Sequence, residues 1–443
     1  MTSPAADISL SPLPWRAAPA RGWSGAFSKL RAWAFVIVCA TLVAGIGYKK
    51  PTHDWDMIAY VASALYDEGW RGDAWRDQVY AQVRADVNDH EYAQLVGHDP
   101  IATGQQIADY RAAVAGDPRA LEQQLPFYRV KILYMALVKA AHRLGLPYVK
   151  ATYAVSAAAA AAMAMAMVLG FLLISLRLPL FLLPAGLTAA NICAFNNVAF
   201  GSLASQSTPD ALASLYALVC LWLSARKDRS GLAAAALAPL ARPDFIILSA
   251  ALVAAILLTR VDENHAPGFP RLRDIPRGKL VAGALSLAAA GAIYVAQNHF
   301  VGAYSFATLL NFSFMGFAPY PRSMNFSADP RDYLFAYLRA AKQTFESRHI
   351  VVYGLTLAAL ANPYPRALTR GRFTAVFALA PMAYVAIHVA VFPEYFDRFF
   401  SFAALATFLW LARLVVHRQR DGVARQPGAE PGGALAANIG DAK

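Results

Sequence analysis

The sequence predicts an all-α, polytopic membrane protein with about ten transmembrane helices and a helical first extracytoplasmic loop. Three observations predict it. Of 443 residues, 58% are hydrophobic and only 15% charged, whereas soluble domains carry about a quarter charged residues. Many of the apolar residues lie in runs near the ~20 needed to cross a hydrocarbon core. The basic excess, a formal charge of +12, falls in short clusters between those runs. That is the positive-inside pattern of a membrane protein, so no nucleic-acid partner is expected.

Residues 1–30 contain Arg16, Arg21 and Lys29 and show no cleavage site, so they read as a cytoplasmic segment before an uncleaved first span, Ala32–Tyr48. Residues 31–416 form the membrane domain. From residue 49 to 150 the chain turns polar, giving the first extracytoplasmic loop. In it, Trp55–Tyr66 places Ile58, Val61, Ala62 and Leu65 on one helical face, which suits a helix lying on a membrane surface. Trp75, Val79, Val83 and Val87 repeat every four residues, as in a second amphipathic helix. Leu125–Leu146 is apolar but carries Arg129, Lys131, Lys139, His142 and Arg143, and so belongs at the interface or against the bundle.

Spans follow at Tyr153–Leu176, Leu178–Phe195 and Pro209–Ser224. Ser207 or Thr208 reads as the cap of the last, with Pro209 in its first turn and Asp210 against the helix dipole; this makes Asp210 a capping-type residue. Leu232–Ala241 is too short to cross alone, and Arg242-Pro243-Asp244 interrupts the chain before Phe245–Leu258. Basic clusters lie on both sides (Arg226, Lys227 and Arg229 before; Arg260, Arg271, Arg273, Arg277 and Lys279 after), so a hairpin is expected rather than one kinked crossing. Leu280–Gln297 leads to a second external loop at 298–347. His349–Ala361, Phe373–Phe392 and Phe399–Val416 complete ten crossings, and residues 417–443 read as a disordered tail. Both termini are then cytoplasmic. Cys39, Cys193 and Cys220 all fall in apolar runs and read as small hydrophobes.

This topology collects Asp54, Asp56, Arg242, Asp244, Glu394, Asp397 and Arg398 on the external face, where an ionised group near the bilayer is costly and points to function. Asp54 and Asp56 form the candidate catalytic pair. A carboxylate can take the proton of a weakly nucleophilic hydroxyl, and guanidinium groups such as Arg398 and Arg242 can hold phosphate oxygens. Plainer readings stand beside these. Asp54 caps the helix starting at Trp55 with Asp56 in its first turn; Arg242 pairs with Asp244 across the turn; Arg398 pairs with Asp397 or Glu394. With His53 nearby, Asp54 and Asp56 also present carboxylates to a divalent cation such as Mg or Mn. His299, His349 and His388 read as satisfied or interfacial.

Three short motifs in this order resemble the C-type glycosyltransferases, polytopic enzymes that use polyprenyl-phosphate sugars and include the aminoarabinose and protein mannosyl transferases. They are Asp54-Trp55-Asp56 in the first external loop, Arg242-Pro243-Asp244 in mid-chain, and Asp397-Arg398-Phe399-Phe400 opening the last span. The resemblance covers roughly residues 30–416. It implies an aspartate of the first loop as base, a lipid-phosphate leaving group near Arg398, inversion at the sugar carbon, and a lipid, glycan or protein acceptor. The alanine content and short loops point to a bacterial inner (plasma) membrane. The alternatives are a transporter or flippase, for which no inverted repeat is visible, and a polysaccharide ligase or polymerase, whose largest external loop falls late in the chain.

Overall fold

The computed structural model describes residues 26–175, 200–259, 275–314, 316–324, 329–347, 349–361 and 371–424. These are helical throughout, with no strand beyond one isolated bridge between Thr52 and Gln206. Four helices are long and apolar enough to cross a membrane: Tyr148–Leu169, Arg277–Val301, Arg372–Val391 and Asp397–Val415. Shorter apolar helices cover Trp33–Lys49, Phe245–Leu257 and His349–Ala361. The expected span Leu178–Phe195 lies outside the described residues, as do residues 1–25 of the N-terminal segment and Cys193.

The polar stretch after α1 (Ala26–Lys49) is a small helical domain built from α2 (Trp55–Asp67), α3 (Gly72–Asp86), α4 (Asp89–Leu95), α5 (Pro100–Thr103), α6 (Gln105–Gly116), α7 (Pro118–Arg129) and α8 (Ile132–Arg143). Helix α2 does not lie on a surface. Residues Trp55 and Met57 through Leu65 are all buried, because α3, α7, α8 and α9 (Tyr148–Ser175) enclose it. Its polar atoms are met internally: the Trp75 indole donates to the Ala62 carbonyl (3.0 Å), and Tyr60 packs edge-on against Tyr128 and Tyr134. A one-sided apolar pattern cannot distinguish a membrane surface from a protein interior, which is why periodicity placed this helix wrongly. Helix α3 buries Trp75, Val79 and Val83 as its four-residue repeat requires. The charge load of 125–146 is resolved by a break at Val130–Lys131 and by Asp67, which pairs with both Arg129 (2.6 Å) and Lys139.

Beyond α9 come α10 (Phe200–Ser205) and α11 (Asp210–Arg226). The interrupted segment is a hairpin of α12 (Asp228–Leu237), a single 3₁₀ turn at Ala238–Leu240, and α13 (Phe245–Leu257). Its arms run antiparallel: Ser249 Oγ donates across to the Ala235 carbonyl at 2.6 Å. Helices α14 (Arg277–Val301), α15 (Phe306–Phe314) and α16 (Pro330–Glu346) follow, and the 298–347 loop folds back on the first. Phe312 stacks on Phe127, and Gln124 Nε2 donates to the Ala318 and Pro319 carbonyls. The last helices are α17 (His349–Ala361), α18 (Arg372–Val391, with a π turn at Ala375–Leu379) and α19 (Asp397–Ala424). Helix α19 continues past 416, so the chain expected to be disordered from 417 is helical through Ala424.

Among the described residues, charged side chains of the later helices gather in clusters, of which two join several helices. One joins the start of α2 to α11, the hairpin turn and α19, and is described below. The other clasps α12, α14 and α18: Arg372 bonds Asp228 and the Ser224 carbonyl (2.6 Å), and Lys279 bonds Asp228 (3.3 Å) and the Thr259 carbonyl (2.9 Å).

The start of the site domain depends on a close approach of α1 to α10. A Cβ on Gly47 would lie 2.4 Å from the Ala204 carbonyl oxygen, so only glycine fits. Gly47→Ala is expected to cost about 1–3 kcal/mol by overpacking, read as a lower unfolding midpoint of the purified protein; an unchanged midpoint would show that α1 is not held there.

Candidate active site

Residues distant in sequence converge at the N-terminal ends of α2, α11 and α19. Asp54 is the N-cap of α2, with extended backbone, and its Oδ1 accepts from the Met57 amide at 3.3 Å. That fixes the carboxyl and leaves Oδ2, which is buried and has no hydrogen-bond partner, 3.9 Å from Arg398 Nη1. Asp56 accepts from the Tyr128 hydroxyl (3.1 Å) and from Arg398 Nη2 (3.4 Å). The plain capping reading and the functional one are thus both realised in Asp54: one oxygen serves the helix, the other the cluster.

Arg398 stands second in α19 and also reaches Asp210 (Nε to Oδ2, 3.5 Å). Asp210 in turn binds Arg242 (Nη1 to Oδ1, 3.0 Å), and Arg242 binds Asp244 (Nε to Oδ1, 3.0 Å). Asp244 is met from the other side by the Tyr384 hydroxyl and by His388 Nε2 at 3.4 Å. The result is a ladder of alternating charge: Asp54 and Asp56, Arg398, Asp210, Arg242, Asp244. The Phe399 ring lies beside both guanidinium groups, 4.3 Å from Arg242 and 5.2 Å from Arg398.

The two arginines are held differently. Arg242 makes two 3.0 Å bonds and is nine-tenths buried, so it serves the hairpin turn, as the plain reading of Arg242-Pro243-Asp244 has it. Arg398 touches three carboxylates at 3.4 to 3.9 Å and is one-quarter exposed, which leaves donors for a ligand.

Asp210 is the member that sequence reasoning missed. It is only 3% exposed and stands at the first helical position of α11. It was read there as part of a capping pattern, but Pro209 is the N-cap with no side-chain bond, and neither the Ser207 nor the Thr208 hydroxyl caps the helix. Lys131 was likewise read only as interfacial charge. Its ammonium donates to the Phe127 carbonyl and lies 5.0 Å from the Tyr128 ring. Burial drops it to about 8, against the pull of Asp56.

Other expected members stand apart. His53 turns to Glu91 (Nδ1 to Oε2, 2.9 Å). Asp397 accepts from Ser347 and faces His349 at 3.8 Å, so it does not pair with Arg398. Glu394 makes no ion pair within 4 Å with Arg398; burial pushes it up to about 7, opposed by the charges of Arg398 and Arg339. His349 and His388 are buried and partnered, by Tyr395 and Asp244. Among the described residues no three acidic, His or Cys side chains are grouped to hold a metal ion. The position between Asp54 and Asp56 faces the Arg398 guanidinium, so these residues do not fit the divalent cation considered above.

Burial pushes the Asp54 carboxyl up to about 8, and the neighbouring Asp56 charge adds to the rise while Arg398 opposes it. A carboxylate raised in this way is a strong proton acceptor beside a cation, a combination suited to activating a hydroxyl and stabilising a departing anion. No protein-family model, curated protein or solved structure matches the chain.

Asp210→Ala would leave Arg242 and Arg398 without their shared carboxylate. A loss of about 3–5 kcal/mol is expected for breaking a buried pair, measured as denaturant-induced unfolding in micelles. Unchanged stability would mean that the ladder does not organise this end of the bundle.

Proposed function

We propose that this chain is a membrane glycosyltransferase that moves a hexose or pentose from a polyprenyl-phosphate donor to an extracytoplasmic acceptor hydroxyl. In this reading it is a multi-pass protein of the inner (plasma) membrane, with about ten crossings and both termini cytoplasmic. One observation carries the proposal: a buried carboxyl oxygen without a hydrogen-bond partner, Asp54 Oδ2, faces a loosely engaged guanidinium, Arg398. The helix that carries Arg398, α19, is among those long and apolar enough to cross a membrane, which suits a lipid-borne donor.

In the proposed reaction the acceptor hydroxyl donates to Asp54 Oδ2. Its oxygen attacks the anomeric carbon as the proton passes to the carboxylate. The bond from that carbon to the phosphate oxygen breaks on the opposite face, and its electron pair leaves with the lipid phosphate. Arg398 meets that developing charge, since a guanidinium fork can hold two phosphate oxygens. Asp56, fixed by the Tyr128 hydroxyl and Arg398, positions the arginine. A single displacement inverts the sugar carbon. The acceptor is a lipid, glycan or protein bearing a hydroxyl group.

Transfer assayed in membranes with a pool of polyprenyl-phosphate sugars tests this. Asp54→Asn keeps the shape and a capping oxygen but removes the base, and transfer should fall by about 10²–10⁴; Asp56→Asn should lose less. Wild-type rates from both variants would sink the assignment. If the wild type consumed no donor while moving a lipid-linked sugar across vesicles, the flippase alternative would stand instead.

The pH dependence follows from Asp54. Its folded value is raised to about 8, and the base must be ionised, so transfer under kcat/KM conditions should climb about tenfold per pH unit below 8 and level off above it. A profile flat between pH 6 and 8 would exclude Asp54 as the base.

A further inference from the structure

Four buried polar atoms that the ladder leaves unused lie on the two chain segments that meet beside Asp54. The segment before α11 runs beside the segment before α2: the Thr52 amide donates to the Ser205 carbonyl (2.8 Å), the two hydroxyls lie 3.3 Å apart, and Thr52 bridges Gln206 in parallel register. His53 and Asp54 therefore run alongside Ser207 and Thr208. Helix α9 closes the same space, for Ser156 Oγ donates to the Thr208 carbonyl at 2.7 Å, and the His53 ring lies 6.2 Å from Tyr153, one turn earlier on that helix. Asp210, two residues past Thr208, shares Arg398 with Asp54.

In this neighbourhood His53 Nε2, Asp54 Oδ2, Gln206 Oε1, Ser207 Oγ and Thr208 Oγ1 are all buried without a hydrogen-bond partner. Ser207 is 0% and Thr208 1% exposed. A buried polar atom is normally partnered, and one without a partner is costly, so five on two adjoining segments point to a ligand. Their chemistry narrows its class. The His53 ring meets Glu91 through Nδ1; the Gln206 amide oxygen accepts, and the two hydroxyls donate or accept. A set without a lysine or arginine of its own offers an anion little counter-charge. The Arg398 guanidinium 3.9 Å from Asp54 repels a cation. What remains is a neutral ligand whose several hydroxyl groups both donate and accept.

We propose that Gln206, Ser207 and Thr208, with His53, form a subsite for the hydroxyl groups of the transferred sugar, separate from the arginine that meets the phosphate. This rests on the glycosyltransferase reading, which it deepens by dividing the donor between two sets of residues. Since neither hydroxyl makes an internal side-chain bond, Ser207→Ala/Thr208→Val removes nothing the fold uses.

The experiment compares binding of a short-chain prenyl-phosphate hexose with that of the bare prenyl phosphate, in detergent, to wild type and to this double variant. The wild type should favour the glycosylated probe by about tenfold, as two hydrogen bonds allow. The variant should lose that preference while keeping its unfolding midpoint and its affinity for the bare phosphate. A variant that kept the preference would overturn the subsite and leave the glycosyltransferase reading intact. If the wild type bound neither probe, the donor reading would fail, and saturation-transfer NMR with methyl hexosides decides the subsite. Transfer to wild type but not to the variant would uphold it; no transfer to the wild type, as expected if ordered water alone meets these atoms, would overturn it.

Discussion

The structure at this end of the molecule depends on one carboxylate, Asp210, held between two guanidinium groups. Removing a carboxylate and an arginine from water costs several kcal/mol per ion, and mutual attraction offsets this only when the geometry is good. Asp210 meets that condition twice, toward Arg242 at 3.0 Å and toward Arg398 at 3.5 Å. Through Arg242 it ties α11 to the hairpin turn, and through Arg398 to α19 and the first turn of α2. Four segments that are far apart in sequence are therefore brought to one place by a side chain occupying the first position of a helix. The macrodipole of α11 adds to its anionic preference, since partial positive charge accumulates at a helix N-terminus.

The cluster contains more carboxylates than arginines. Asp54, Asp56, Asp210 and Asp244 face Arg242 and Arg398, with Lys131 behind Tyr128. Neutralising one acid is the cheapest way to relieve this excess, and it falls on the acid with the weakest set of donors. Asp244 has Arg242, Tyr384 and His388, and Asp56 has Tyr128 and Arg398. Asp54 has one backbone amide at 3.3 Å and a guanidinium at 3.9 Å. Its rise to about 8 comes first from burial and then from the Asp56 charge, which one distant guanidinium and one amide only partly offset. The cap position contributes as well: an N-cap oxygen that serves Met57 cannot rotate to improve its contact with Arg398.

Much of this was legible in the sequence because hydropathy sorts residues by membrane side before any contact is known. The order of apolar runs and basic turns groups Asp54, Asp56, Arg242, Asp244, Glu394, Asp397 and Arg398, and the structure brings five of them together while Asp397 turns to Ser347 and Glu394 makes no ion pair with Arg398. Asp210 was hidden because Thr208-Pro209-Asp210 satisfies a local pattern completely; a helix start and a buried ion-pair bridge present the same residues, and only the partner across space separates them. The surface placement of α2 failed for a related reason. Its apolar face was plain, but the enclosure of Ser63 and Tyr60, whose partners come from its own turn and from α7 and α8, depends on tertiary packing that no local window records. Asp397 stands next to a good candidate, yet one residue of offset in a first helical turn sends its side chain to Ser347 and His349.

The long contacts of Arg398 give the proposed chemistry a sequence of events. In this structure its charge is spread over Asp54, Asp56 and Asp210 and lowers the proton affinity of Asp54. A donor phosphate would draw the guanidinium toward itself, because a bidentate pair at hydrogen-bond distance outweighs three contacts at 3.4 to 3.9 Å. Asp54 would then lose part of the opposing charge while remaining fixed by the Met57 amide, and its hold on a proton would tighten. In the proposed reaction the group that recognises the donor would also be the group that restrains the base. The carboxylate would become most basic when a phosphate is in place to leave, and would attract an acceptor proton least when the donor is absent. This coupling requires no movement of the backbone, only a change in which oxygens share one guanidinium.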